Sequence, residues 1–131
     1  MINLAVVDNL STAINILEFL VRERPDISLV ANASNGREAI EMIEKHQPDV
    51  VLMNIVMPIM DGIDATKIIN QRFANTKIIL ITGCDNQRSR KMAIKAGANG
   101  YISKFADLND ISLAIDHVAA GYEFFSFSRI Y

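Results

Sequence analysis

Five short apolar runs rich in Ile, Val and Leu alternate along the chain with longer segments of helical periodicity. The runs are Ile2–Val7, Ile27–Ala31, Val50–Met53, Lys77–Thr82 and Gly100–Ile102. Two of them, Val50-Val51-Leu52-Met53 and Ile78-Ile79-Leu80-Ile81, are apolar at every position rather than at every second one. A strand needs that pattern when both faces of its sheet are covered, so these runs predict buried, parallel strands flanked by helices.

The intervening segments supply the helices. In Thr12–Glu23 the residues Ala13, Ile16, Leu17 and Leu20 fall on one stripe, with Ser11 or Thr12 as its N-cap. A second helix spans about Asn35 to His46, with Ala39, Ile40 and Ile43 inward, and Pro48 prevents its continuation. Ile63–Arg72, Gln87–Ala96 and Leu108–Ala120 complete the set, the last two followed by Gly97 and Gly121 as left-handed caps. The (βα)5 alternation with short connections calls for a three-layer α/β sandwich with right-handed crossovers. With 131 residues, half of them hydrophobic and 21% charged, one domain over 1–121 is expected, followed by a tail or the start of a linker over 122–131.

The formal net charge of −2 gives no electrostatic basis for gripping nucleic acid. No apolar stretch reads as a signal core or membrane span, and the single Cys84 cannot form an internal disulfide. A cytoplasmic protein without membrane or direct nucleic-acid contact is therefore expected. A nucleotide-binding enzyme fits poorly. Asp8-Asn9-Leu10-Ser11-Thr12 has no glycine and begins with a charge that repels phosphate, and no G-x-G-x-x-G follows any strand.

In open α/β sheets ligands gather at the carboxyl ends of the strands. Here those ends carry Asp8 and Asn9, then Asn54, then Thr82-Gly83, then Ser103-Lys104. Any one of them is explained as an ordinary turn former. Together, a carboxylate, two carboxamides, a hydroxyl and an ammonium describe a polar pocket.

These residues, with the segments around them, resemble the receiver domain of two-component response regulators over essentially the whole chain. The similarity is greatest to receivers that carry a LuxR-type helix-turn-helix output domain. Val6-Val7-Asp8-Asn9 resembles the family's first strand and acidic pair, and Ala33-Ser34-Asn35-Gly36-Arg37-Glu38-Ala39 its second-helix entry. Asp49-Val50-Val51-Leu52-Met53-Asn54-Ile55-Val56-Met57-Pro58-Ile59-Met60-Asp61-Gly62 is similar to the phosphoacceptor strand and loop, and Ala96-Gly97-Ala98-Asn99-Gly100-Tyr101 to the approach to the fifth strand. The resemblance implies a flavodoxin-like sheet of order 2-1-3-4-5. It assigns Thr82 as the switch hydroxyl, Tyr101 as the rotating aromatic and Lys104 as the pocket lysine. It places the family's Mg²⁺ ligands at Asp8, Asn9, Asn54 and the Val56 carbonyl, with Asn54 where the acceptor Asp belongs.

Two departures matter for the implied chemistry. An amide at 54 is a neutral, poor nucleophile that cannot form an acyl phosphate, and amides at 9 and 54 remove charge that Mg²⁺ requires. The family's three acids and one lysine leave the pocket negative, whereas Asp8 and Lys104 cancel. The expectation is a self-satisfied polar network, with Lys104 pairing to Asp8 or donating to Asn54, no cofactor, no enzymatic activity and no phosphorylation. The alternative is a phosphorylation-competent receiver of a DNA-binding regulator carrying inactivating Asp-to-Asn substitutions. Partners implied by the resemblance are a histidine kinase, an output domain or another regulator, engaged through the fourth helix, fifth strand and fifth helix. A homodimer is a further option.

Some features stand outside the motif. Arg88, Arg90, Lys91 and Lys95 crowd the fourth helix, as a solvated face or a surface for an acidic partner. Tyr101 is equally a half-buried strand aromatic, Cys84 an inert thiol, and His46 and His117 solvent-facing. The aromatic stretch from Tyr122 to Tyr131 needs a cover: it folds back, dimerises or leads into a linker.

Overall fold

A computed structural model describes residues 1–8 and 12–127, so Asn9 and the Ser11 cap lie outside the described residues. Strands β1 (Ile2–Val7), β2 (Ile27–Ala33), β3 (Val50–Asn54), β4 (Lys77–Thr82), β5 (Gly100–Ser103) and β6 (Phe124–Phe125) form one sheet of order β2-β1-β3-β4-β5-β6. Every pairing is parallel. Between them run α1 (Thr12–Glu23), α2 (Gly36–His46), α3 (Gly62–Arg72), α4 (Gln87–Ala96) and α5 (Leu108–Ala119). The expected order of the first five strands is observed. The sheet nevertheless has six strands rather than five. A two-residue strand is too short for any hydrophobic period to announce it, and β6 exists because β5 offers it an unpaired edge.

The uninterrupted apolar runs are explained by the two cores. Along β3, Val51 and Met53 enter a core shared with α2, α3 and α4, while Val50 and Leu52 enter one shared with α1 and α5. Successive side chains leave a strand on opposite faces, so a run buried on both sides has no polar position until it ends. Ile16 and Leu20 of α1 and Ala39 and Ile43 of α2 are buried, as their periodicity requires.

Helix ends follow local chemistry. Asn35, Asp61 and Asn86 cap α2, α3 and α4 by accepting from Glu38 N, Asp64 N and Ser89 N. Gly97 adopts φ 92° and closes α4, and Gly121, at φ 96°, follows α5.

Strand order reverses around β1, since the chain passes from β1 outward to β2 and then back across to β3. The crevice of such a sheet opens at this switch point, between the ends of β1 and β3. Its floor is set by a close approach: Gly62 N donates to Ile55 O at 2.8 Å, and a Cβ added at Gly62 would sit 2.3 Å from Asn54 O. Only a residue without a side chain lets α3 begin against the end of β3. Gly62→Ala is therefore expected to cost about 1–3 kcal/mol, because backbone rather than a flexible side chain must move. Urea unfolding measures it, and an unchanged midpoint would refute the packing described.

Candidate functional site

Backbone hydrogen bonds hold the strand ends level with one another. Asp8 N donates to Ala33 O at 3.0 Å, Ile55 N to Ile81 O at 3.0 Å and Lys104 N to Thr82 O at 2.8 Å. The segments following β1, β3 and β5 are thereby tied to β2 and to the end of β4, and Asp8, Asn54, Thr82 and Lys104 arrive at one end of the sheet.

Asn54 is the centre of this group and is half-buried. Its Nδ2 donates to the Val56 carbonyl at 3.2 Å and, at the longer distance of 3.5 Å, to Asp8 Oδ1. Both amide hydrogens are thus aimed at oxygen atoms. Thr82 is buried, and its hydroxyl oxygen accepts from Cys84 N at 3.0 Å, which ties it to the loop after β4. Lys104 lies across Gly83: a Cβ there would be 3.1 Å from its Cε and 3.4 Å from its Nζ. The Lys104 ammonium also stands 5.2 Å from the centroid of the Phe105 ring. In the structure the Asn54 hydrogens go to Val56 and Asp8, while the lysine stem packs on the glycine, where no side chain obstructs it.

At the mouth of the crevice Val56, Ile59 and Phe105 are exposed. Ile59 has φ 70°, a left-handed conformation that costs a residue with a branched Cβ about 1–2 kcal/mol. Among the described residues no group of three His, Cys, Asp or Glu side chains is placed to hold a metal ion.

Tyr101 points away from this crevice end into the α4 side of the sheet and is fully buried, not half-buried as a strand aromatic would be. Its hydroxyl donates to Asp85 Oδ1 at 2.9 Å and lies 3.2 Å from Ser89 Oγ. Asp85 in turn receives a two-pronged ion pair from Arg90, Nε to Oδ1 at 2.7 Å and Nη2 to Oδ2 at 2.9 Å. Arg90 is therefore no solvated member of the α4 basic face: its side chain is 16% exposed and that of Asp85 only 5%. Arg88, Lys91 and Lys95 remain exposed, as do His46 and His117. Sequence reasoning missed Asp85 and Ser89. The available signal was their spacing, since Asp85 stands three residues after Thr82 and Ser89 and Arg90 lie four and five residues beyond it, on the first turn of α4.

Burial raises the Tyr101 pKa above its ordinary value, and the adjacent Asp85 carboxylate adds to the rise against the opposing hydrogen bond from Ser89. The Asp85 hydrogen bonds likewise hold the Arg90 guanidinium above its usual range. A tyrosine whose folded pKa exceeds its unfolded one stabilises the fold fully below the unfolded value of about 10, and that contribution disappears as pH rises through the folded value. Ultraviolet titration should accordingly show one of the three tyrosines ionising later than the others, and Tyr101→Phe should remove that late step. Three superimposable titrations would contradict the burial of this hydroxyl.

Comparison with known proteins accords with this architecture. The model of the response regulator receiver domain matches residues 4–116. The chain is 41% identical to the chemotaxis protein CheY of Halobacterium salinarum over 99 residues, covering 76% of this chain and 81% of that one. It is 31% identical to the transcriptional regulatory protein LnrK of Bacillus subtilis over 121 residues, covering 92% of this chain and 55% of that protein. Among solved structures, a LuxR-family two-component response regulator from Aurantimonas superposes with a TM-score of 0.87 at 28% identity, covering 95% of this chain and 89% of that one. The chain spans about half the length of the transcriptional regulator it matches.

Proposed function

The chain belongs to the response regulator receiver domains, and from that premise we propose that it relays its signal through protein contacts without being phosphorylated at residue 54. Domains of this family serve two-component signal transduction, standing between kinases and output domains. Aligned on the family motif, Asn54 takes the phosphoacceptor position, Asp8 and Asn9 the acidic pair, Thr82 the switch hydroxyl, Tyr101 the aromatic and Lys104 the pocket lysine.

The observation that carries this reading is the direction of the Asn54 amide. Its two N–H groups face the Val56 carbonyl and Asp8, oxygens that a Mg²⁺ ion in this family would take for itself. Mg²⁺ needs a shell of oxygen donors with carboxylates among them. Of the positions the motif assigns to it, Asp8 alone brings a charge, so the residues present do not fit the ion. The amide hydrogens do its neutralising work instead, joining the ends of β1 and β3 without a cation. An amide also offers no anionic oxygen to attack a phosphoryl donor.

A pocket that needs neither metal nor phosphate for its hydrogen bonds favours one arrangement, and the surface it supports is then a standing platform for a partner. The exposed part of α4, where Met92 and Ile94 lie among Arg88, Lys91 and Lys95, suits a protein carrying apolar and acidic groups. We place residues 1–121 as the receiver. LnrK has about twice the span matched here, which supports an output domain in the pathway, covalently attached or separate, with transcription as the regulated process. The receiver itself then acts in the cytoplasm as a non-enzymatic element.

Acetyl phosphate with excess Mg²⁺ tests the proposal. Intact mass should show no phosphate on this chain at residue 54, and an Asn9→Asp/Asn54→Asp double variant should gain one. A phosphoryl adduct mapping to Asn54 of the unaltered chain would overturn the reading.

A further inference from the structure

The aromatic segment after α5 is a structural part of the Tyr101 environment. Phe124 N donates to Asn99 O at 3.0 Å and Ser126 N to Tyr101 O at 2.9 Å, so residues 124–126 zip along the outer edge of β5. The side chains then straddle that edge. Phe124 packs on the α1 and α5 core, 5.5 Å from the His117 ring, while Phe125 packs on the opposite core. Phe127 completes the turn onto α4: its ring meets Tyr101 edge-on at 5.6 Å and lies 4.5 Å beneath the Arg90 guanidinium.

Besides its tilted contact with Phe125 at 6.4 Å, Phe127 thus meets two members of the Tyr101–Asp85–Arg90 chain. Arg90, which stands over the Phe127 ring, is gripped by Asp85, and Asp85 in turn accepts from the Tyr101 hydroxyl. Turning Tyr101 outward would break the bond to Asp85 and collide with the ring that covers it. Detaching Phe127 would uncover Tyr101 and strip one face of Arg90. The two events share their contacts and so share free energy, and by linkage each must change the other by the same factor.

We infer that residues 122–127 form a displaceable strap that locks Tyr101 inward and, when pulled from the edge of β5, releases it. A mechanical or binding event on the chain beyond Phe127 is thereby communicated to the α4–β5 surface, and a partner that turns Tyr101 outward frees the strap. The device uses no group of the crevice and operates whether or not residue 54 accepts phosphate.

The test reads both directions of the coupling. Ser126→Pro removes the donor to Tyr101 O without touching any latch side chain, and Phe127→Ala removes the aromatic contacts. Tyr101 is followed by fluorine NMR of 3-fluorotyrosine in a background with Tyr122→Phe and Tyr131→Phe. Both variants should move the Tyr101 signal toward that of a solvent-exposed ring. In the other direction, Asp85→Asn and Tyr101→Phe, which cut or weaken hydrogen bonds of the latch, should each speed hydrogen exchange at the Phe124 and Ser126 amides roughly tenfold, the scale of one hydrogen bond. Amides of β3 must stay protected, and Tyr101→Phe supplies the answer if Asp85→Asn exposes them. An unmoved Tyr101 signal with the strap freed, or unchanged strap amides with the latch cut, would overturn the coupling.

Discussion

Covering a parallel sheet with helices on both faces leaves its strands nowhere to put a polar side chain except at their ends. In this chain β3 and β4 obey that rule along their whole length, with Val50 to Met53 and Ile78 to Ile81 buried. The backbone ladder runs through these interiors, with the Asn99 side chain accepting from Ile78 N at 2.9 Å, and polarity resumes at Asn54 and Thr82. Because the strands are parallel, all of these ends fall on one side, and the reversal of strand order at β1 opens the crevice between two of them. The polar cluster is a consequence of how the sheet is buried, and its chemistry follows from which residues the sequence places at those few positions.

At the central position a carboxamide puts donors where a carboxylate would put acceptors. A carboxylate there would present two acceptors to Asp8 and to the Val56 carbonyl, three sets of lone pairs that require a cation between them. The amide presents donors to both, at 3.5 Å and 3.2 Å. The strand ends are joined by the protein's own hydrogen atoms. On the far side of β5 a second polar chain obeys the same logic: the buried Tyr101 hydroxyl and the nearly buried Asp85 carboxylate are tolerable because each satisfies the other, with Arg90 closing the series.

The strand and helix pattern was legible because burial on two faces writes itself as uninterrupted Val, Ile and Leu, and because Asn35, Gly97 and Gly121 punctuate the helices by local chemistry alone. Asp8, Asn54, Thr82 and Lys104 were legible as strand-end residues, and the structure brings the first two into contact. What could not be read were interactions set by tertiary geometry. Lys104 lies over Gly83 because that residue has no side chain, a fact that sequence spacing does not convey. Arg90 looked like one more cation on a basic helix face, yet its distance from Asp85 depends on how the β4–α4 loop folds. β6 is a two-residue strand whose existence depends on the open edge of β5, and the aromatic cover of Tyr101 follows from it.

The Asn54 amide hydrogens face Asp8 and the Val56 carbonyl, and the proposed function has them, rather than a divalent ion, join the ends of β1 and β3. The most direct test of this proposal is Mg²⁺ titration of the protein with the Asn54 side-chain NH₂ pair followed by ¹⁵N NMR. Both resonances should stay put through the titration. A saturable shift of that pair, tracking the Val56 and Asp8 backbone signals, would contradict it.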